Sequence, residues 1–154
     1  APEQSLADFD RLLARHPDSA RALYGRAYVL SEMPGGTEAA IAAARLAVAA
    51  DPRSVSYRCA LAVLLARASS TDEASQLIEA AVEENSSGPV QYQAACVFAL
   101  ASRNDLQFVA RALEFLENAL ARDYGHELLA TDFDLDALRH DPRFSQLVAG
   151  LRNL

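Results

Sequence analysis

Several absences bound what this 154-residue chain can be. It has two cysteines, one methionine, no tryptophan, and only six glycines and six prolines. Two cysteines exclude a disulfide framework and a four-thiolate zinc site. Cys59 and Cys96, 37 residues apart in apolar runs, read as buried reduced thiols acting as small hydrophobes. The glycines and prolines are too few for a β-rich or loop-rich fold. No apolar run approaches the roughly 18–20 residues that span a bilayer. Lysine is also absent: all 14 cations are arginine, which reads as codon bias in a GC-rich genome. The net charge is −7, with 8 Arg against 9 Asp+Glu in residues 1–77 and 6 against 12 in residues 78–154. This acidic balance, without a basic stripe, argues against a nucleic-acid partner and allows a basic one near the C-terminal end.

What is present is alanine, 32 of it, in a helical pattern. The stretch Thr37 to Pro52 reads as one helix whose inward stripe is Ala40, Ala44 and Ala47. A helix that buries only methyl groups gains little alone, so neighbours must supply the bulk. The pair Ala40 and Ala47 recurs as Ala74 and Ala81 after 34 residues, then as Ala112 and Ala119 after 38 more. Small residues at such a period signal stacked two-helix units. A coiled coil is excluded because Pro17, Pro34, Pro52, Pro89 and Pro142 interrupt any sustained heptad.

In order, Leu6, Phe9, Leu12 and Leu13 give the first helical face, ended at Pro17. Met33 to Gly36 forms a turn, with Thr37 expected as the N-cap of the alanine helix. Ser70-Thr71-Asp72-Glu73 has the form of a capping box. Val55 to Ala68 is apolar nearly all round, as in a helix covered on both sides. Tyr92–Ala101 and Leu106–Arg122 form a further pair closed by Gly125. After short turns around Phe133–Leu138, Asp141-Pro142 opens a last helix with Phe144, Leu147, Val148 and Leu151 on one face.

These residues resemble the tetratricopeptide repeat family, whose unit is two antiparallel helices with small residues at their contact. Ala27, Ala40, Ala47 and Pro52 match one unit, Ala62, Ala74 and Ala81 the next, and Cys96, Ala112 and Ala119 the third. Phe9 and Pro17 look like the second helix of an incomplete unit. The run from Tyr92 to DFDLDALRHDPRFSQLV is similar to the terminal units of bacterial multidomain proteins. The resemblance implies an all-α, right-handed αα-superhelix of about eight or nine helices with a C-terminal capping helix. It divides one domain, 1–154, into a half repeat 2–17, helix pairs 20–54, 55–88 and 89–125, and a cap 126–154. The chain departs from the family where tryptophan is usual, holding Leu23, Arg58 and Tyr92, and Arg26 is a poor fit to a buried slot.

The resemblance also implies a concave face lined by first helices: Arg21, Tyr24, Tyr28 and Glu32, then Ser56, Cys59, Val63 and Arg67, then Val90, Gln93, Val97 and Ala101. The cationic positions that clamp acidic peptide C-termini hold Tyr24, Tyr28, Ala60, Val90 and Ala94 instead, so that clamp is missing. Partner contact is expected from Arg21, Tyr24, Tyr28, Glu32, Cys59, Val63, Arg67, Gln93 and Val97, unless the Phe144–Leu151 helix or a neighbouring domain covers them. The function expected is a non-catalytic module binding a protein or peptide. The alternatives are a regulatory or substrate-presenting C-terminal part of a larger enzyme, and a self-associating scaffold. A monomer or weak homo-oligomer in the cytoplasm is expected, or in the periplasm if Ala1 is a processed N-terminus. No cofactor or metal is expected. His16, His126 and His140 flank helix ends without partners at ligand spacing. Asp132, Asp134 and Asp136 alternate as in a calcium loop but lack its glycine and distal glutamate.

Overall fold

The computed structural model describes residues 2–151. Among them are eight α-helices, one 3-10 helix and no strand. The helices are α1 (Pro2–Arg15), α2 (Ala20–Ser31), α3 (Thr37–Ala50), α4 (Val55–Arg67), α5 (Thr71–Glu84), α6 (Gly88–Ala101), α7 (Phe108–Leu120) and α8 (Pro142–Leu151). The 3-10 helix, Phe133–Leu138, lies between α7 and α8. Helices α2 and α3, α4 and α5, and α6 and α7 pack as successive hairpins, and α3 on α4 and α5 on α6 join each hairpin to the next. The result is an αα-superhelical solenoid.

Steric fit explains the stacking. The buried residues of α3 are Ala40, Ala43, Ala44 and Ala47, with no larger side chain among them. Ala74, Ala81, Ala112 and Ala119 are likewise fully buried on α5 and α7. The bulk comes from the partner helices, through Leu23 and Leu30 of α2 and Leu61, Leu64 and Leu65 of α4. Large residues on one side and methyl groups on the other bring the axes close without leaving voids.

Two expected caps are replaced by other arrangements. Thr37 is the first residue of α3 rather than its cap; Gly36 holds that place and makes no side-chain cap bond. Ser70 precedes α5 without capping it, and the Glu73 carboxylate is instead bound through both oxygens by Arg45 of α3, at 2.6 and 2.8 Å. The interhelical pair wins because a guanidinium fork matches a carboxylate better than one backbone amide does. Ser19 and Ser54 do cap α2 and α4, each accepting a backbone N–H at 3.3 Å. The two misfit arginines also resolve. Arg26 reaches back to Asp10 of α1 at 2.8 Å, and the mostly covered Arg58 side chain extends to Glu84 of α5.

Helix α6 is the centre of the molecule. From Val90 to Ala101 every residue but Gln93 is buried, because α4, α5, α7 and the 3-10 helix all pack on it. The chain turns out of α7 through Gly125, whose φ of +92° is open to glycine and strained for other residues. It then lays the 3-10 helix across α6. Arg139 holds that segment in shape, donating to the carbonyls of Leu129 and Asp132 and to the Asp136 carboxylate. Helix α8 packs on α7, with Phe144 buried and Leu147 and Val148 half-buried. The Leu151 side chain lies outside the described residues.

Candidate functional site

The first helices of the solenoid and the returning C-terminal segment enclose a cleft of about 270 Å³. Tyr24, Tyr28 and Ser31 of α2, with Glu32 capping its C-terminus, form one wall, and Ala60, Val63, Leu64 and Arg67 of α4 another. The third wall is Tyr92, Gln93 and Cys96 of α6 together with Tyr124, Leu128, Asp132 and Asp134.

Each wall is set by local packing. Tyr24 is half-buried because its ring lies 5.0 Å from that of Tyr57 on α4, and burial is the main reason its hydroxyl is harder to ionise than usual. Tyr28, one turn further along α2, is 63 % exposed. Tyr92 is held at both ends. Its ring meets that of Tyr124 edge-on at 5.8 Å, and its hydroxyl donates to Asp132 Oδ2 at 2.9 Å. Burial, with Cys96 and the Asp132 and Asp134 carboxylates beside it, pushes its ionisation well above the ordinary tyrosine range.

Arg67 and Asp134 close the cleft from opposite sides. Arg67 Nε and one terminal nitrogen donate to the two oxygens of Asp134 at 2.9 and 2.8 Å. That bond raises the guanidinium's already high pKa. Asp132 accepts the backbone N–H of Asp134 through Oδ1 at 2.9 Å and so caps the 3-10 helix. Asp136 pairs with Arg139 at 2.7 Å. The alternating aspartates are thus a cap and two arginine partners, each tied into the fold.

Cys96, Asp132 and Asp134 bring three possible metal-ligand atoms within 4.8 Å of one another. Their chemistry fits the protein's own contacts better than a cation. Arg67 already occupies both oxygens of Asp134, and the Cys96 thiol faces Asp132 Oδ2 at 3.8 Å. Burial, then the two carboxylates, push that thiol well above its usual pKa and hold it protonated. Both cysteines are free and buried. His126 donates from its ring to the Leu120 carbonyl at the end of α7, a capping role.

Of the nine residues expected at the surface of contact, Tyr24, Tyr28, Glu32, Val63, Arg67 and Gln93 line the cleft. Arg21 is exposed but outside it. Cys59 and Val97 are corrections: both are buried in the core, at 1 % and 0 % exposure. Val97 is shut in by the helices packed around α6, and Cys59 sits on the inner side of α4. The covering element also differs from the expected one. It is the 3-10 segment, which lies on α6 and reaches α4 through the Arg67–Asp134 pair, while α8 packs on α7. Tyr124, Leu128 and Asp134 were missed as wall residues because only the return of the chain brings them there.

The Tetratricopeptide repeat family model matches residues 2–31 and 35–89, more than half of the chain. The chain belongs to the tetratricopeptide repeat family. Among curated proteins none matches it. The family match covers α1 to α5 and the first residues of α6, so α2 and α4, which carry two walls of the cleft, are recognised repeat sequence, with Glu32 just outside it. Tetratricopeptide repeats generally mediate protein–protein interaction, and this all-helical fold is typically a non-catalytic module. No helix among the described residues is long and apolar enough to cross a membrane.

Proposed function

We propose that this chain is a protein-interaction module that takes an extended or helical peptide segment into the cleft between α2, α4 and the returning C-terminal segment. The observation that carries this reading is Tyr28, 63 % exposed at the wall of a cleft that also holds Tyr24, Val63 and Gln93. Tyrosine offers a large apolar face and a hydroxyl with little rotamer entropy to lose, which suits it to recognition. Size supports a peptide over a cofactor. About 270 Å³ lies below the roughly 300–1,000 Å³ of pockets that engulf a whole small molecule. It is room for one or two anchoring side chains.

The test is a double variant, Tyr24→Ala with Tyr28→Ala, used as bait beside the unaltered chain. The variant is expected to lose its partners in a pull-down while its circular dichroism stays helical. Recovery of the same proteins by both baits would sink the reading.

A second reading is self-association, favoured by Leu106 and Phe133, 81 % and 77 % exposed. Arg103, just after α6, bonds the Phe133 carbonyl at 3.3 Å and so ties the α6–α7 loop to the start of the 3-10 helix. Sedimentation velocity decides it: a strict monomer at high concentration removes the scaffold.

A further inference from the structure

We infer that the segment captured in the cleft is basic, and that it seats an arginine or lysine side chain against Tyr24 and Tyr28 beside the Glu32 carboxylate. This rests on the peptide-binding reading above and names the chemistry of the partner.

The charges around the cleft carry the inference. Its walls hold three carboxylates, Glu32, Asp132 and Asp134, against one guanidinium, Arg67, leaving −2. Arg67 is not free to greet an acidic ligand, because two of its nitrogens are bonded to Asp134. No cation pairs with the Asp132 carboxylate among the described residues: its donors are the neutral Asp134 N–H, Tyr92 hydroxyl and Cys96 thiol. Glu32 is exposed at the end of α2, and no hydrogen bond or ion pair engages its carboxylate among the described residues; Arg67 only feels its charge. An uncompensated negative field in a partly enclosed space attracts cations and repels anions more strongly than the same charges on a flat surface.

The aromatic walls add to this preference. The faces of tyrosine rings carry negative quadrupole density, so a guanidinium or ammonium over them gains further attraction. Arginine fits best, since its planar head can lie on a ring while its edge donates to a carboxylate. A peptide rather than a bare ion suits the remaining surface: Ala60, Val63 and Leu64 line the cleft beside the tyrosines and would cover the aliphatic stem of a long cationic side chain. The whole chain's charge of −7 would steer such a partner in.

The experiment uses an array of short peptides of randomised sequence, acetylated and amidated, probed with the full chain and with the Tyr24→Ala/Tyr28→Ala variant. Hits lost in the variant define cleft-dependent binders. They are then measured by fluorescence anisotropy, with Glu32→Gln as a second variant that alters an exposed side chain and leaves the core alone. Cleft-dependent binders enriched in arginine or lysine are expected. Their affinity should fall roughly two- to fivefold with Glu32→Gln, the size of an exposed charge pair, and fall further as sodium chloride is raised. Cleft-dependent binders that are acidic, or indifferent to charge and to Glu32→Gln, overturn the inference while leaving peptide capture standing. An array without any tyrosine-dependent binder overturns both.

Discussion

Arg67 grips both carboxylate oxygens of Asp134, 67 residues away in sequence, and fastens α4 to the segment that closes the cleft. Asp134 is only 11 % exposed, so removing its partner would leave a mostly buried carboxylate unpaired. Arg67 is 37 % exposed, and solvent screening reduces what the pair contributes. Arg67→Ala should therefore destabilise by about 1–2 kcal/mol, below the figure for a fully buried pair. Urea melts measure the loss, and amide exchange should quicken around residues 128–138 more than in α2 and α3. An unchanged melt with unchanged exchange would mean that the pair holds nothing.

That contact also marks where reading the sequence stops. The alanine positions Ala40, Ala74 and Ala112 are legible because a close helix contact restricts size at each step of a local repeat, and all three are fully buried. Tyr24, Tyr28 and Glu32 are legible as wall residues because their four-residue spacing lines up along α2 and its C-cap. Val97 breaks the same rule because α6 is packed on nearly every side, and Cys59 because it lies on the inner side of α4 while Ala60, Val63 and Arg67 take the cleft face. The alternating aspartates at 132, 134 and 136 suggested part of a calcium loop, because their partners Arg67 and Tyr92 are remote in sequence. Ser70 to Glu73 had the right spelling for a capping box, but local spelling cannot weigh the competing pull of Arg45 on Glu73.

Gly125 is a second joint of the same closure. A methyl group there would meet the Tyr92 ring at 2.4 Å, on a backbone with φ of +92°. Tyr92 is 4 % exposed and cannot swing aside without releasing Asp132. Gly125→Ala should then cost roughly 2–4 kcal/mol, from backbone strain plus overpacking. Gly35→Ala is the control. Its φ is +74° with nothing within 4 Å of the added methyl, so only the backbone part, on the order of 1 kcal/mol, applies. Equal losses in the two variants would show that the ring can yield.

Burial pushes the Cys59 thiol up to about 11 from 9.0, with Arg58 pulling the other way. The folded state thus holds this proton more tightly than the unfolded chain does. The resulting stability is fully present below pH 9 and drains away as pH rises from about 9 towards 11. The contribution is on the order of 2 kcal/mol. Cys96 and Tyr92 are shifted in the same direction, so the whole protein should weaken in alkali. Urea melts at pH 8 and pH 10.5 should show a smaller drop for Cys59→Ala than for the unaltered chain. A drop of the same size in both would place the thiol's proton outside the linkage.

The stacking itself is tested at Ala47. Its side chain is 0 % exposed on a helix whose buried residues are all alanine, the pattern of a close helix contact that admits only small groups. Ala47→Leu adds three carbons at that contact and forces α3 away from its neighbours, which should cost roughly 1–3 kcal/mol despite the added apolar area. Leu46, the adjacent residue, is 57 % exposed, and Leu46→Ala should stay within about 0.5 kcal/mol. The pair of variants separates packing from composition: one adds hydrophobic carbon and loses stability, and the other removes it and changes little. Thermal melting reads both, and an Ala47→Leu midpoint level with the unaltered chain would mean that the small side chains do not set the spacing of the solenoid.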